Sequence, residues 1–269
     1  MKAHNQGIPE IDLSAFNQPQ DNGAEAYWDF RAPRYDQEIS HSEDSRNARV
    51  NLVQRLIRKG VIQKESAVLD LGCGPGLFTV EFAQRCRQVV GVDISGKMLE
   101  RARQHAKSVD NVAFYKMDWA DPKCNQEWDG AFDLVFANMS PAIRSVPTLE
   151  KMMRASKNWC FYSTFAERTS SLRRQLDQLF GTCPQYNRIY YLFHILWSRG
   201  MQPEIWYESQ VVRRELPWEQ ALVFYQNDYQ GRENEAELKR IVSQHRTAGG
   251  NVVEEIFMKK GCMLWQVNR

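Results

Sequence analysis

Ala67–Ser95, AVLDLGCGPGLFTVEFAQRCRQVVGVDIS, is the stretch whose reading decides the fold. Ala67–Leu71 is a short apolar run ending in a turn, the pattern of a strand buried on both faces. Gly72, Gly74 and Gly76 then permit a sharp turn and a close approach of backbone to a ligand. Phe78, Phe82 and Cys86 follow at helical spacing. Val89–Val92 is a second buried strand, and Asp93 stands at its carboxyl end. An acid about 20 residues beyond such glycines is where a doubly wound sheet holds a ribose diol.

The dinucleotide fingerprint requires a third glycine or alanine three places after the second, for close helix–strand packing. Leu77 stands there, so that fingerprint fails. What remains, Asp70-Leu71-Gly72-Cys73-Gly74-Pro75-Gly76, resembles motif I of the class I S-adenosylmethionine-dependent methyltransferases. The resemblance implies an α/β fold: a doubly wound, mostly parallel seven-stranded sheet of the Rossmann-like kind, firmly over about Arg46–Phe165. It implies S-adenosyl-L-methionine as cofactor and S-adenosyl-L-homocysteine as product. Carried onto this chain, Asp70, Gly72, Cys73, Gly74 and Gly76 form the turn against the cofactor's amino-acid end. Asp93 chelates the ribose hydroxyls, with Ile94 and Met98 beside it.

Working outward, Asp44–Lys59 carries Val50, Val53 and Ile57 at helical spacing and reads as the helix before the first strand. Ahead of it, AYWDFRAPRYD (Ala26–Asp36) is dense in aromatics and arginines. It resembles the N-terminal segment that many small-molecule methyltransferases fold over the cofactor, with Trp28, Arg31 and Tyr35 as the residues of interest. Plain packing of an N-terminal helix is the alternative. Residues 1–24 are polar, hold Pro9, Pro19, Gly7 and Gly23, and read as an arm or loosely held lead-in.

Beyond Asp93, Met98, Leu99, Ala102 and Ala106 give the next helix, and Val112–Lys116 a third strand ending in Met117-Asp118-Trp119. An acid followed by a large apolar residue here resembles the family's adenine pocket; a loop acid capping the next turn is the alternative. Phe132–Ala137 is the fourth strand, and the Asn138-Met139-Ser140-Pro141 loop after it should face the ligand crevice. Ser145–Ser156 reads as a helix, Trp159–Phe165 as the fifth strand and Glu167–Phe180 as a helix.

Composition then shifts: between Tyr186 and Tyr229, 11 of 44 residues are aromatic, against 12% overall. That density marks an aromatic-rich helical cap. Ile189, Leu192, Phe193 and Leu196 form one helical stripe and Tyr190, His194 and Trp197 a second, the pattern of a helix buried on more than one face. Glu204–Leu216 reads as a returning strand, and Pro217 opens a helix. Leu238, Ile241 and Val242 face inward from another. Val252–Phe257 and Met263–Val267, about a Lys-Lys-Gly turn, read as closing strands. The expected organisation is residues 1–45 as arm and lid, 46–180 as cofactor-binding core, 181–250 as cap and substrate region, and 251–269 as closing strands.

The 269 residues, 43% hydrophobic and 25% charged, are ordinary for a globular protein. No apolar run reaches 18 residues, so no membrane span is expected, and the N-terminus lacks a signal peptide's apolar core. The six cysteines show no CxxC spacing, which argues against a metal site and for reduced thiols in the cytoplasm. A net charge of +2 makes no electrostatic case for nucleic acid as partner.

Methyl transfer from a sulfonium is an in-line displacement that asks the protein for positioning and exclusion of water. A base is needed only when the acceptor carries a proton of high pKa. The candidates for such a role are His194, Tyr35 and Asn138, of which the resemblance also implies Tyr35 and Asn138 as cofactor-binding residues. Asn138-x-x-Pro141 departs from the (Asn/Asp)-Pro-Pro-(Tyr/Phe) loop of amino-group methyltransferases at Met139 and Ser140, which argues against that acceptor. A lone histidine on an aromatic helix face is more often a packed core residue, which is the favoured reading of His194, and Arg168, Arg173 and Arg174 read as a solvated helix face. The expectation is methyl transfer to a small, partly apolar or aromatic acceptor, with Tyr190, His194 and Trp197 lining its site. An RNA or protein methyltransferase and a non-catalytic cofactor-binding protein are the alternatives. Oligomeric state has no signature here.

Overall fold

Seven strands order as β3-β2-β1-β4-β5-β7-β6 in a computed structural model that describes residues 16–17, 24–40, 42–122, 126–181, 188–229 and 234–267. In chain order the elements are α1 (Ala24–Ser40), α2 (Glu43–Arg58), β1 (Ala67–Leu71), α3 (Leu77–Ala83), β2 (Gln88–Asp93), α4 (Gly96–His105), β3 (Val112–Lys116), β4 (Phe132–Asn138) and α5 (Val146–Ala155). There follow β5 (Ser156–Ser170), α6 (Ser171–Phe180), α7 (Arg188–Ser198), β6 (Glu204–Pro217), α8 (Trp218–Asp228), α9 (Glu235–Ser243) and β7 (Asn251–Gln266). Pairings β3–β2, β2–β1, β1–β4 and β4–β5 are all parallel. The sheet as a whole is mostly parallel and carries one antiparallel hairpin, as the resemblance implies.

The local reasons are legible residue by residue. Every residue of β1 is buried, as a continuous apolar run in the middle of a covered sheet requires. Serine hydroxyls cap α2, α4, α5 and α6 from Ser42, Ser95, Ser145 and Ser170, each accepting an otherwise orphaned backbone N–H. Phe82, Phe136 and Phe161 are fully buried, with Phe136 stacked on Phe161 at 4.7 Å and edge-on to Phe82 at 4.9 Å. These rings pin α3 and β5 to β4 across the centre of the sheet.

Two units are distinguishable by their internal contacts. One comprises the described residues of Met1–Thr164, Tyr190–Ile205 and Met263–Arg269, and the other those of Phe165–Ile189 and Trp206–Cys262. The second unit has its own core of Leu172, Leu176, Leu216, Ala221, Tyr225, Leu238, Ile241 and Val252. Inside it the buried Glu254 accepts from Tyr225 Oη at 2.5 Å and pairs with Arg214 at 3.3 Å. A buried carboxylate needs such partners.

The structure corrects several boundaries. The fifth strand is twice the expected length, from Ser156 to Ser170, so the following helix begins at Ser171 and not at Glu167. Arg168 therefore lies on a strand, over the Phe165 ring. The two closing strands are one, β7, and the Lys-Lys-Gly sequence is no turn. Gly261 is instead a close approach: a Cβ there would lie 2.7 Å from Ile189 Cγ1. Helix α7 buries Ile189, Leu192, Ile195 and Leu196, but Tyr190 and Trp197 are 50% and 51% exposed, so one face packs and the other is open. The lead-in is held at Phe16, which is fully buried, and at Asn17, whose side chain accepts from Val146 N at 3.0 Å. The rest of residues 1–23, with Cys124, Cys183 and Tyr186, lie outside the described residues.

Candidate functional site

Strand order reverses between β1 and β4, and the carboxyl ends of β2, β1 and β4 open onto the crevice where such sheets hold ligands. The glycine turn sits there. Gly72 and Cys73 donate their N–H groups to Val92 O at 2.8 and 3.0 Å, which ties the turn to β2. Gly72, Gly74 and Gly76 all have positive φ, at 66°, 54° and 75°, the region open to glycine without strain. Gly72 and Gly76 also meet a neighbour closely. A Cβ on Gly72 would fall 2.0 Å from Ser140 Oγ, and one on Gly76 2.8 Å from Ala102 Cβ.

Asp93 closes the other side. Its Oδ2 accepts from Gly74 N at 2.8 Å and its Oδ1 from Ser95 N at 2.9 Å, leaving further lone pairs for a diol. Burial raises its pKa, opposed by the N–H groups of Ser95, Gly74 and Ile94. Met98 is buried and Ile94 half-buried on the turn of α4. Cys73 is buried, with its Sγ 3.1 Å from where a Cβ on Gly91 would stand, and burial holds its thiol well above the usual range. Its contribution is packing.

Asp70 lies beneath the turn, 3% exposed, accepting from the buried Thr79 Oγ1 at 2.6 Å. Burial pushes its carboxyl up to about 7; the Thr79 hydroxyl pulls it down and the nearby Asp93 charge adds to the rise. Thr79 escaped the sequence reading, although a lone threonine inside LFTVEFA is its trace. An acid raised in the folded state destabilises the protein progressively as pH rises from the unfolded value towards 7. A bound cation reverses that preference. The expected result is that cofactor affinity falls by up to about tenfold for each pH unit below 7, with protons released on binding. Asp70→Asn should abolish the proton release. Calorimetry in buffers of different ionisation enthalpy measures it, and buffer-independent heats at pH 7 would contradict it.

Helix α1 lies along α4, joined to it by two acids and to the end of β3 by a third. Asp29 Oδ1 accepts from Ser95 Oγ at 2.5 Å and Lys97 N at 3.1 Å, and Asp36 pairs with His105 at 2.8 Å. Glu25 pairs with Lys116 at 2.5 Å. The Ser95 hydroxyl lowers the Asp29 pKa. This docking places Tyr35 over the turn, its ring 4.0 Å from the position of a Gly74 Cβ, with Trp28 edge-on to it at 5.9 Å. Arg31 instead lies over the Tyr27 ring.

Past β3, Asp118 Oδ1 accepts from Ala120 N at 2.9 Å, the turn-capping geometry, and from Arg144 at 3.3 Å. Trp119 is buried, donating from Nε1 to Thr148 O at 3.1 Å. Asn138 ends β4 half-buried, and Met139 after it has φ 53°, alone in positive φ among the described residues that are not glycine. Tyr190 and His194 pair edge-on at 4.4 Å, and Trp197 stacks on Phe193 at 5.5 Å, on the open face of α7.

The geometry suits a cofactor with an amino acid, a ribose and a positive charge. The turn at Gly74 leaves room for a ligand, with the Tyr35 ring 4.0 Å from the position of a Cβ, Asp93 has acceptors to spare, and Asp70 is a buried carboxyl without a cationic partner among the described residues.

Comparison with known proteins supplies the context. The model of a methyltransferase domain family matches residues 62–207, more than half of the chain. A 23S rRNA (uracil(1939)-C(5))-methyltransferase of Alkalilimnicola ehrlichii is 37% identical over 94 residues, 33% of this chain and 21% of that protein. An uncharacterized protein of Haemophilus influenzae is 26% identical over 157 residues, 56% of this chain and 57% of that protein. The chain thus spans about a fifth to just over half the length of these curated relatives. Among solved structures, the magnesium protoporphyrin IX methyltransferase of Synechocystis PCC 6803, with bound S-adenosylhomocysteine, superposes with a TM-score of 0.51. It is 16% identical, covering 88% of this chain and 97% of that one, a likeness of fold alone.

Proposed function

This chain belongs to the methyltransferase domain family and is an S-adenosylmethionine-dependent methyltransferase, and from that premise we propose that its acceptor is a small, partly apolar or aromatic molecule. The observation that supports this acceptor is the open aromatic face of α7, where Tyr190 and Trp197 leave about half of their surface uncovered. Rings presented this way suit an acceptor held by stacking. The net charge of +2 offers little to a polyanion.

When bound, the cofactor supplies a methyl group already activated on sulfur. The chain's own residues do the rest. Asp93 takes the ribose hydroxyls, Asp70 faces the charged amino-acid end through the turn, and Asp118 and the Trp119 backbone flank the adenine. Tyr35, backed by Trp28, covers the turn and keeps water off it. Arg31 is the weakest of the proposed contacts, because its guanidinium is spent on Tyr27.

Deleting residues 1–40 tests the cover. The truncated protein should still unfold cooperatively and lose cofactor affinity roughly tenfold, the scale of one or two ring contacts to a cation. Unchanged affinity in a folded truncation makes α1 plain packing.

A second reading, an RNA acceptor, is favoured by one observation, the ribosomal RNA methyltransferase named among the partial relatives. Incubation with S-adenosylmethionine labelled in the methyl group separates the two. The reactions would contain either a set of small aromatic acids, phenols and amines or total cellular RNA. Label is expected in the small molecules, and label confined to RNA would overturn the proposal.

A further inference from the structure

The loop after β4 is held by a residue one strand away. Ser163 of β5 is fully buried and sits opposite Asn138 in the parallel register of β4 and β5. Its Oγ accepts from Met139 N at 3.0 Å and donates to Asn138 Oδ1 at 2.7 Å. The direction of the second bond follows from counting. A serine has one proton to give, and with its oxygen already accepting from Met139 N it gives that proton to Asn138 Oδ1. The distance agrees, since 2.7 Å is usual for O–H···O and short for N–H···O.

The consequence concerns the amide's other end. With Oδ1 committed to Ser163, the Nδ2 protons have no partner among the described residues, on a half-buried side chain at the carboxyl end of β4. The loop cannot drift to change this. Met139 is locked at φ 53° by its N–H bonds to Ser163, at 3.0 Å to both O and Oγ, and Ser140 is wedged against Gly72.

We propose that Ser163 is a positioning residue that presents the Asn138 NH2 group to the crevice, and that the methyl acceptor is therefore an oxyanion, a carboxylate or phenolate. The proposal rests on the methyltransferase reading and deepens it. An amine acceptor offers N–H donors and needs an oxygen facing it, which Asn138 has turned away. An oxyanion needs a donor, which Asn138 supplies. One lone pair of the acceptor takes that hydrogen bond while another forms the new O–CH3 bond. The C–S bond breaks as it forms, its electron pair passes to sulfur, and no proton has to be removed.

The test uses the full chain saturated with S-adenosylhomocysteine, with sodium acetate and methylammonium chloride as probes. In 15N spectra the Asn138 side-chain NH2 pair is identified by its loss in Asn138→Asp. Acetate should shift that pair saturably and methylammonium should not. In Ser163→Ala, which frees the amide to rotate, the acetate response should fall at least fivefold. Cofactor affinity, measured by calorimetry, should stay within twofold in Ser163→Ala. A shift with methylammonium, no shift with acetate, or an undiminished acetate response in Ser163→Ala overturns the proposal. Loss of cofactor binding in the parent protein would instead defeat the underlying methyltransferase reading. If Ser163→Ala does not fold, the acetate-against-methylammonium comparison in the parent protein decides alone.

Discussion

Asp93→Ala should weaken S-adenosylmethionine binding at least tenfold. The substitution removes both acceptors for the ribose diol, and hydrogen bonds to a charged group contribute about 1.5–3 kcal/mol each. It also orphans the N–H groups of Gly74 and Ser95, which now donate to its two oxygens. The turn and the start of α4 thus lose a common anchor, so the fall should exceed that from the diol alone. Asp93→Asn, which keeps one oxygen acceptor, should lie between the two. Calorimetry on proteins of unchanged circular dichroism measures this, and an unaltered dissociation constant for Asp93→Ala would remove the residue from the site.

Gly72→Ala should destabilise the fold itself. Two costs combine: a non-glycine residue at φ 66°, and a methyl group driven to 2.0 Å from Ser140 Oγ and 2.9 Å from Ser140 Cβ. Backbone strain of about 1–2 kcal/mol and overpacking of about 1–3 kcal/mol give a loss of roughly 2–5 kcal/mol. For a chain of this size that lowers the melting temperature by roughly 5–15 °C. The double change Gly72→Ala with Ser140→Gly should recover the steric part and leave the strain. A single variant that melts with the parent, or a double one that recovers nothing, would show that the loop yields without cost.

The sequence carried whatever depends on local pattern. The buried strands β1, β2 and β4, the glycine turn and the acid after it are neighbours in the chain, and their spacing encodes their roles. It misled where one residue type serves two purposes. Gly261 has the look of a turn after two lysines, yet it is a strand residue stripped of a side chain to let Ile189 approach. Glu167 looks like a helix start, but the first serine able to cap a helix there is Ser170, so β5 runs on to it. It was silent where function rests on pairs brought together by folding. Thr79 against Asp70, Asp29 against Ser95, Arg144 against Asp118 and Ser163 against Asn138 join residues between 9 and 66 positions apart. A hydroxyl in a strand gives no sign of which carboxamide it will meet.

Met139 has a bearing on any attempt to engineer this protein. Its left-handed backbone makes it the obvious first target for thermostabilisation, because glycine or asparagine would adopt that conformation with little strain. A screen that rewards melting temperature would favour the exchange. Yet glycine would also widen the range of shapes open to the segment between Asn138 and Ser140, the segment that fixes how the reactive partner is met. The methionine trades some robustness for a narrow ensemble at that point. Selection for heat tolerance and selection for turnover would pull position 139 in opposite directions.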